Sequence, residues 1–246
     1  MNIALIGYGK MGRLLAQKAP EWKHRIVTTV DPLADDALCK HLSEVDYSAI
    51  DCALEFTGPA TAVENINILA AAKVPVVVGS TGWHSRMDEV QKLINDSGSS
   101  LLWASNFSLG INLFYRIAAF VAAAVDPFTE YDLAGFEIHH NKKLDSPSGT
   151  AKTLAERILA AMPRKTSVVW DKLDRPPEPH ELHFASLRAG AVPGTHGIIV
   201  DSQSDTIEIR HTARNREGFA AGAFLAAQWL VAEKRSGVFT MEDFLC

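Results

Sequence analysis

The sequence predicts an α/β protein of two domains, in which a parallel sheet with crossover helices is followed by an α+β domain with a mixed or antiparallel sheet. In roughly the first 100 residues, short β-branched runs alternate with helix-patterned segments, as in a parallel sheet whose strands are joined by helices. Beyond Asn106 the later strand-like runs follow one another without helices between them. We therefore expect a first domain at residues 1–106, with 216–246 packing back on it, and a second domain at 107–215.

Each strand of the first domain is expected where a short aliphatic run is bounded by turn residues: Asn2 to Ile6, Ile26 to Val30, Cys52 to Phe56, Val74 to Val78 and Ser100 to Trp103. Helical periodicity predicts the helices Met11 to Ala19, Thr61 to Lys73 and Ser85 to Asp96. Right-handed crossovers place the carboxyl ends of these strands at one edge of the sheet, where open α/β sheets bind ligands.

The second domain is expected to begin with an Ala-rich helix and a strand that runs into a pair of histidines, followed by a helix from Thr150. The later strand-like runs are Leu182 to Arg188, Gly197 to Asp201 and Thr206 to His211. A last helix is predicted from Phe219 to Glu233.

Composition argues against several classes of partner. The formal charge of −5 and the scattered basic residues disfavour nucleic acid. The longest uncharged apolar stretch, Ile117 to Val125, is about half of the roughly 20 residues that a membrane helix needs. The chain starts on a strand-like run without a basic leader, and its three cysteines form no CxxC pair, which is typical of a reducing compartment. We therefore expect a cytoplasmic protein with no nucleic-acid or membrane partner.

A glycine-rich turn follows the first predicted strand and opens the first predicted helix. It consists of Gly7, Tyr8, Gly9, Lys10, Met11 and Gly12, a GxGxxG pattern. In a dinucleotide site the first glycine allows the tight turn, the second lets the backbone approach the pyrophosphate, and the third permits close helix–strand packing. Helix N-terminal amides then face the anion. The position of the turn favours a Rossmann-like nucleotide domain over an ordinary glycine turn.

Asp31 ends the second predicted strand, about 20 residues past Gly12, where an acid accepts hydrogen bonds from the adenosine ribose. Pro32 follows, so no arginine comes next to hold a 2′-phosphate, and a carboxylate would repel that group. We expect NADH to be at least as good a cofactor as NADPH.

Two further loops come after the fourth and fifth predicted strands and so reach the same sheet edge. Ordinary turn chemistry explains each of them as well as cofactor binding does. Their candidate cofactor contacts are Gly79, Ser80, Thr81, Ala104, Ser105, Asn106 and Phe107.

The densest group of chemically active side chains runs from Glu137 to Thr150 and includes the pair His139 and His140. A helix start follows at Ser148, Gly149 and Thr150, whose free N–H groups and hydroxyls suit a carboxylate, although Ser148 is equally a normal N-cap. Successive strand residues point to opposite faces. Both imidazoles can therefore reach one substrate only if the backbone leaves strand geometry near His140.

The run from His139 to Ala151 resembles the HHxxKxDxPSGTA signature of the dihydrodipicolinate reductases, and the similarity extends from Gly7 to the C-terminal segment. Ser80 and Ser146 depart from the usual Thr and Ala. The resemblance implies that His139 is the general acid or base and that Lys143 is the proton-donating cation. It also implies substrate contacts at His140, Ser148, Gly149 and Thr150, and cofactor contacts at the glycine turn, Asp31 and the two later loops.

The same resemblance implies NAD(P)H-dependent reduction of 4-hydroxy-tetrahydrodipicolinate to tetrahydrodipicolinate, a step of diaminopimelate and lysine biosynthesis. The substrate would be a small dicarboxylate, and the family is usually a homotetramer. Reduction of the conjugated imine gives negative character to a neighbouring ring carbon, which His139 would protonate with the support of Lys143.

Two other functions compete with this interpretation. An aspartate or homoserine dehydrogenase has a similar domain order, but the Ser-Gly-Thr helix start directly after HHxxK argues against it. A regulatory protein that senses NADH needs no proton donor, so His139 and Lys143 disfavour it. We expect no metal, because the two histidines are adjacent and spacing offers no third ligand.

Overall fold

The computed structural model describes residues 1–232 and 234–246. The chain divides into two compact units. The first unit comprises Met1–Leu109 and Glu217–Cys246, and the second comprises Gly110–Arg216.

Over the described residues, the strands in chain order are β1 (Asn2–Ile6), β2 (Arg25–Val30), β3 (Cys52–Glu55), β4 (Val76–Val78), β5 (Ser100–Trp103), β6 (Asp132–His139), β7 (Ser167–Trp170), β8 (Glu181–Arg188), β9 (Thr195–Asp201), β10 (Thr206–Thr212) and β11 (Gly237–Thr240). The helices are α1 (Lys10–Lys18), α2 (Ala62–Ala71), α3 (Met87–Ser97), α4 (Leu109–Val125), α5 (Gly149–Ala161), α6 (Glu217–Ala232) and α7 (Met241–Leu245).

The sheet of the first unit has the strand order β11-β5-β4-β3-β1-β2. Each of its neighbouring pairs is parallel, which confirms the predicted Rossmann-like parallel sheet. The carboxyl ends of these strands therefore meet at one edge, from which the loops after β1, β3, β4 and β5 emerge.

Both faces of this sheet are covered by helices. On one face Leu15 of α1 and Phe224 of α6 pack with the inward residues of the strands, such as Leu5. On the other face Ile66 of α2 and Ile94 of α3 pack in the same way. Burial of both faces explains why these strands read as continuous apolar runs without polar alternation.

The sheet of the second unit has the strand order β10-β9-β6-β8-β7. The pairs β6–β8 and β7–β8 are parallel, whereas β6–β9 and β9–β10 are antiparallel. This confirms the predicted mixed sheet. Helices α4 and α5 cover one face, where Phe114, Leu154 and Ile158 pack on Phe184 and Ile198 of the strands.

Several elements differ from the prediction. Strands β7 and β11, each of four residues, were not predicted. The fourth strand begins at Val76 rather than Val74, because Pro75 has no N–H to donate to a sheet ladder. The last helix is described as far as Ala232, and Glu233 lies outside the described residues. Within the described ranges, no helix is both long and apolar enough to span a bilayer.

Candidate active site

The glycine turn after β1 is packed tightly at its first and third glycines and is open at its second. Gly7 has φ +94°, and a Cβ there would lie 2.4 Å from the Phe56 carbonyl oxygen. A Cβ on Gly12 would lie 2.1 Å from the Gly7 oxygen, whereas one on Gly9 would meet nothing within 4 Å. The turn therefore accepts no side chain at Gly7 or Gly12, and it leaves free space beside Gly9 at the start of α1, where an anion fits.

Asp31, at the end of β2, holds this turn. Its Oδ2 accepts a hydrogen bond from the Tyr8 amide at 2.8 Å, and its Oδ1 accepts from the Leu33 amide at 2.8 Å. Burial would raise the pKa of the Asp31 carboxyl, but these backbone hydrogen bonds outweigh burial and lower it. The side chain is thus an ionised acceptor beside the glycine turn.

A cavity of about 350 Å³ opens among the loops at the same edge of the first sheet. Of the predicted cofactor contacts, those that line it are Met11, Gly79, Ser80, Thr81, Ala104, Ser105 and Phe107. The lining does not include the predicted contacts Gly7, Tyr8, Gly9, Lys10, Gly12, Asp31 and Asn106. It does include Phe56, Thr57, Gly58, Pro59 and Phe219, which sequence reasoning missed. The loop after β3 could have been anticipated, because it leaves the same sheet edge as the other loops.

Glu55, at the end of β3, holds the loop of residues 56–59 that lines the cavity. It is fully buried, and its Oε1 accepts hydrogen bonds from the Thr57 amide and the Asn65 amide nitrogen, each at 3.2 Å, and from the Thr57 hydroxyl. Burial raises the pKa of Glu55 in spite of these bonds. The loop that lines the cavity is therefore tied to the sheet through one buried carboxyl group.

A second group of polar residues lies in the second unit, on one face of its sheet. Glu137 and His139 are two positions apart on β6 and share a face. Sheet register places His196 of β9 opposite Glu137, and Arg188 of β8 opposite His139. Four chemically active side chains from three strands thus meet, although they are far apart in sequence.

Glu137 lies at the centre of this group and is fully buried. Its Oε1 accepts hydrogen bonds from the Ser148 amide at 3.0 Å and from Arg188 Nη2 at 3.1 Å. Its Oε2 lies 3.2 Å from His139 Nδ1 and 3.5 Å from His196 Nε2. Among the described residues neither Oε2 nor His139 Nδ1 has an aligned hydrogen-bond partner, so the two atoms are in close contact without a well-formed hydrogen bond.

The charge states in this group follow from burial and from these contacts. Burial would raise the pKa of Glu137, but contacts with His139, His196 and Ser148 outweigh burial and hold that pKa well below its usual range. Burial lowers the pKa of His196, and the nearby carboxylate offsets this only in part. Glu137 is therefore charged at neutral pH, and His196 is neutral.

The N-terminus of α5 lies beside this carboxylate. Ser148 is its N-cap, and the Ser148 hydroxyl accepts a hydrogen bond from the Ala151 amide at 3.1 Å. Gly149 is exposed, and Thr150 is partly exposed. Of the three residues predicted to bind a carboxylate here, the buried Ser148 serves the helix itself, while Gly149 and Thr150 lie at its accessible start.

The predicted cation Lys143 lies in the loop between β6 and α5. Its Nζ contacts both carboxylate oxygens of Asp145, at 2.8 and 2.9 Å. Strand β6 ends at His139, and the Lys143 amide donates to the His140 carbonyl in the turn that follows. The backbone therefore leaves strand geometry at His140, which is the condition for two neighbouring imidazoles to reach one substrate.

The structure brings together three possible metal ligands that the spacing in the sequence does not suggest. Glu137, His139 and His196 each place a donor atom within 4.8 Å of the other two, a group that spacing could not show because strand pairing brings His196 in. Arg188 and the Ser148 amide already bond to the carboxylate and compensate its charge. These bonds are to Oε1, whereas Oε2 faces the two imidazoles, so the absence of a metal from this group stays a prediction.

Family models match both parts of the chain. A model of the N-terminus of dihydrodipicolinate reductase matches residues 1–107, and a model of its C-terminus matches residues 110–245. The chain belongs to the dihydrodipicolinate reductase family. Members of this family reduce 4-hydroxy-tetrahydrodipicolinate in diaminopimelate and lysine biosynthesis, and the chain is an oxidoreductase that uses a nicotinamide cofactor.

Relatives in this family align over the whole chain. The 4-hydroxy-tetrahydrodipicolinate reductase of Christiangramia forsetii is 38% identical over 245 residues, which cover 100% of this chain and 98% of that protein. The enzyme of that name from Archaeoglobus fulgidus is 32% identical, and 100% of each chain is covered. The solved structure of a dipicolinate-bound dihydrodipicolinate reductase from Paenisporosarcina sp. TG-14 has the same fold, with a TM-score of 0.80 at 21% identity over 98% of this chain and 97% of that one.

Proposed function

We propose that this member of the dihydrodipicolinate reductase family reduces 4-hydroxy-tetrahydrodipicolinate to tetrahydrodipicolinate. In the division that the sequence predicts, the first domain comprises residues 1–106 with 216–246, and the second comprises 107–215. The first domain holds the dinucleotide, and the second holds the dicarboxylate. The observation that carries the proposal is the buried cluster of Glu137, His139 and His196 beside the open start of α5. A family reductase needs a proton donor next to a carboxylate-binding site, and His139 with the start of α5 would supply these two parts.

The substrate dicarboxylate is bound by groups that compensate negative charge. Gly149 and Thr150 lie at the positive end of α5, and Lys143 is a cation two residues from its partner Asp145. His140, just past the end of β6, provides a further polar contact. The relative from Paenisporosarcina was solved with dipicolinate, itself a dicarboxylate, which supports this class of ligand.

The cofactor-binding residues fit a dinucleotide. The free space beside Gly9 admits the pyrophosphate, Asp31 accepts from the ribose, and the cavity loops flank the remainder. When bound, the reduced nicotinamide supplies the hydride. His139 then donates a proton to the substrate ring carbon that gained negative character, and Lys143 supports this protonation.

We further propose that NADH serves at least as well as NADPH. Asp31 is ionised and repels a 2′-phosphate. The nearest arginine on α1, Arg13, has both terminal nitrogens bonded to Asp36, each at 2.6 Å, and lies over the Tyr8 ring. It is therefore already engaged by a carboxylate and contributes little to binding a phosphate.

We also propose that the protein is a cytoplasmic homotetramer and that its activity needs no metal. Leu113, Ile117 and Phe120 form an exposed apolar stripe along α4, with Phe120 74% exposed. Such a stripe is suited to burial between copies. Light scattering of the purified protein should give four times the chain mass, and dialysis against a chelator should leave the activity unchanged.

The decisive assay follows NADH absorbance while the condensation product of aspartate semialdehyde and pyruvate is generated in the same cuvette. Oxidation that depends on the condensing enzyme supports the proposal, and the rates with NADH and NADPH rank the cofactors. Binding of NADH without oxidation would favour a sensor, and oxidation with aspartate or homoserine as the added substrate pair would favour another dehydrogenase. A tenfold or greater preference for NADPH in kcat/KM would refute the cofactor ranking.

A further inference from the structure

We propose that Glu137 is the positioning residue for His139: it holds the Nδ1 edge of the ring, so that Nε2 is the atom that exchanges a proton with the substrate. The inference rests on the proposed function of His139. It adds the residue that orients the ring and the ring atom that reacts.

Glu137 is fixed in one orientation by donors from two different elements. The Ser148 amide, at the start of α5, and Arg188 Nη2, on β8, both bond to its Oε1. Because the carboxylate is buried and one oxygen is held twice, the other oxygen has a fixed direction. That oxygen, Oε2, faces the two imidazoles of His139 and His196.

The two nitrogens of the His139 ring differ in what they can reach. Nδ1 is buried and lies 3.2 Å from Glu137 Oε2, so it cannot meet a ligand. Nε2 points toward Gly194, where a Cβ would lie 3.1 Å from it. Glycine at this position leaves room beside Nε2. The geometry therefore leaves Nε2 as the reacting nitrogen.

A carboxylate beside Nδ1 selects one tautomer of the neutral ring, with the proton on Nδ1. The same carboxylate stabilises the ring when it is positively charged. In the protonation step the proton leaves Nε2, and the electron pair of the substrate carbon takes it to form a C–H bond. The ring becomes neutral with its remaining proton on Nδ1, and solvent later restores the proton on Nε2.

The other charged and titratable groups near His139 come from every neighbouring element. On β8, Arg188 bonds to the far oxygen of Glu137. On β9, His196 is in ring contact with His139, at 5.1 Å between centroids. His211 of β10 lies opposite His196 in the sheet register, and Lys143 acts on His196 by its charge. Among these groups the carboxylate of Glu137 is the nearest negative charge to His139.

The test compares Glu137→Gln with Glu137→Asp and with the control Glu181→Gln. Glu181 is also an ion-paired glutamate of this sheet, bonded to Arg175. We expect Glu137→Gln to lower kcat by about 10²- to 10⁴-fold, the range for removing the carboxylate partner of a catalytic histidine. We also expect it to leave KM within about threefold, because the carboxylate orients the ring and does not touch the substrate. Glu137→Asp should restore part of the lost kcat, and the control should change neither kcat nor KM.

A kcat within threefold of wild type in Glu137→Gln would overturn the proposal. So would an equal loss of kcat in Glu137→Gln and Glu137→Asp, since a carboxylate that orients the ring should restore part of the rate. A second measurement needs no variant at position 137: ¹⁵N chemical shifts of labelled histidine in the full-length enzyme, with the His139 signals identified from their absence in His139→Gln. The proposal requires the neutral ring to carry its proton on Nδ1, and an Nε2–H tautomer would contradict it. If wild type has no reductase activity, the proposed function fails, while the tautomer still reports whether Glu137 orients the ring.

Discussion

The two candidate sites are built in different ways. In the first unit the site consists of loops at one sheet edge, where glycines, small polar residues and a few apolar side chains surround a cavity. In the second unit the site consists of charged and imidazole side chains at one end of three neighbouring strands of a mixed sheet, with Glu137 at the centre. Binding a cofactor that many proteins share needs backbone shape, whereas proton transfer needs side chains held at fixed distances.

The two sites should therefore respond differently to substitution. Removing a side chain in the second unit should reduce turnover and leave dinucleotide binding intact. Adding a side chain in the glycine turn of the first unit should reduce binding and leave the proton-transfer group unchanged.

A large effect is expected at Lys143. Lys143→Met removes the cation that compensates the substrate carboxylates, so kcat/KM should fall by about 10²- to 10³-fold, the cost of losing one positioned donor. The matched control is Lys142→Met, because that neighbouring side chain is exposed and should change kcat/KM by less than about threefold. Steady-state kinetics with the coupled assay measure kcat/KM for both variants. Equal losses of kcat/KM in the two variants would contradict a specific role for Lys143.

The next effect distinguishes the packing role of Gly12 from the cofactor-binding role of Gly9 in the glycine turn. Gly12→Ala forces a Cβ against the Gly7 carbonyl oxygen, so we expect a loss of about 1–3 kcal/mol in the free energy of unfolding, together with weaker NADH binding. Gly9→Ala has free space around it and should keep the stability of wild type, yet it should weaken NADH binding because the pyrophosphate needs that space. Urea unfolding and NADH fluorescence titration give both quantities. Unchanged NADH affinity in Gly9→Ala would show that the cofactor does not approach this backbone.

A smaller effect concerns the pH dependence of stability. Burial lowers the pKa of His196 in the folded protein, so the unfolded chain binds more protons than the folded chain as the pH falls below the ordinary value of 6.5. The free energy of unfolding should therefore decrease as the pH is lowered through that range. His196→Gln should flatten this decrease, whereas His183→Gln, at a partly exposed position of β8, should leave it unchanged. Urea titrations between pH 5 and about 8 measure the slope, and equal slopes in wild type and His196→Gln would contradict the assignment.

The smallest effect is expected at Asp36. Asp36→Asn releases Arg13 from a bidentate ion pair and makes it available to a 2′-phosphate. Because this pair is exposed, we expect kcat/KM with NADPH to rise by only about two- to fivefold, while the value with NADH stays level. Parallel assays with the two cofactors measure the ratio. An unchanged ratio would mean that Arg13 does not determine cofactor choice.

The contrast between the sites also explains what the sequence could predict. The glycine turn and Asp31 were recognisable because each lies within one strand–turn–helix unit, and the same is true of the HHxxK run and the helix start at Gly149. The sequence could not show that Glu137 faces two histidines. That arrangement depends on the pairing of β6 with β9, more than fifty residues away, and on a register that one-residue slippage would destroy.

Similar reasons account for the missed strands and loop. Strand β11 is four residues long and gains its place by pairing with β5, which lies far upstream. Strand β7 is equally short and is half-buried along its length. The loop Phe56–Pro59 carries no distinctive motif, and its place beside the cavity follows from strand order alone.

The most direct test is a single-turnover experiment on His139→Gln with NADH bound in advance. We predict that its NADH dissociation constant equals that of wild type, because the first unit is unchanged, and that NADH oxidation on adding substrate slows by about 10³-fold. His183→Gln, a histidine variant of the same sheet, should oxidise NADH at the wild-type rate. Oxidation at the wild-type rate in His139→Gln, or loss of its NADH binding, would contradict the assignment of cofactor binding and proton transfer to separate units.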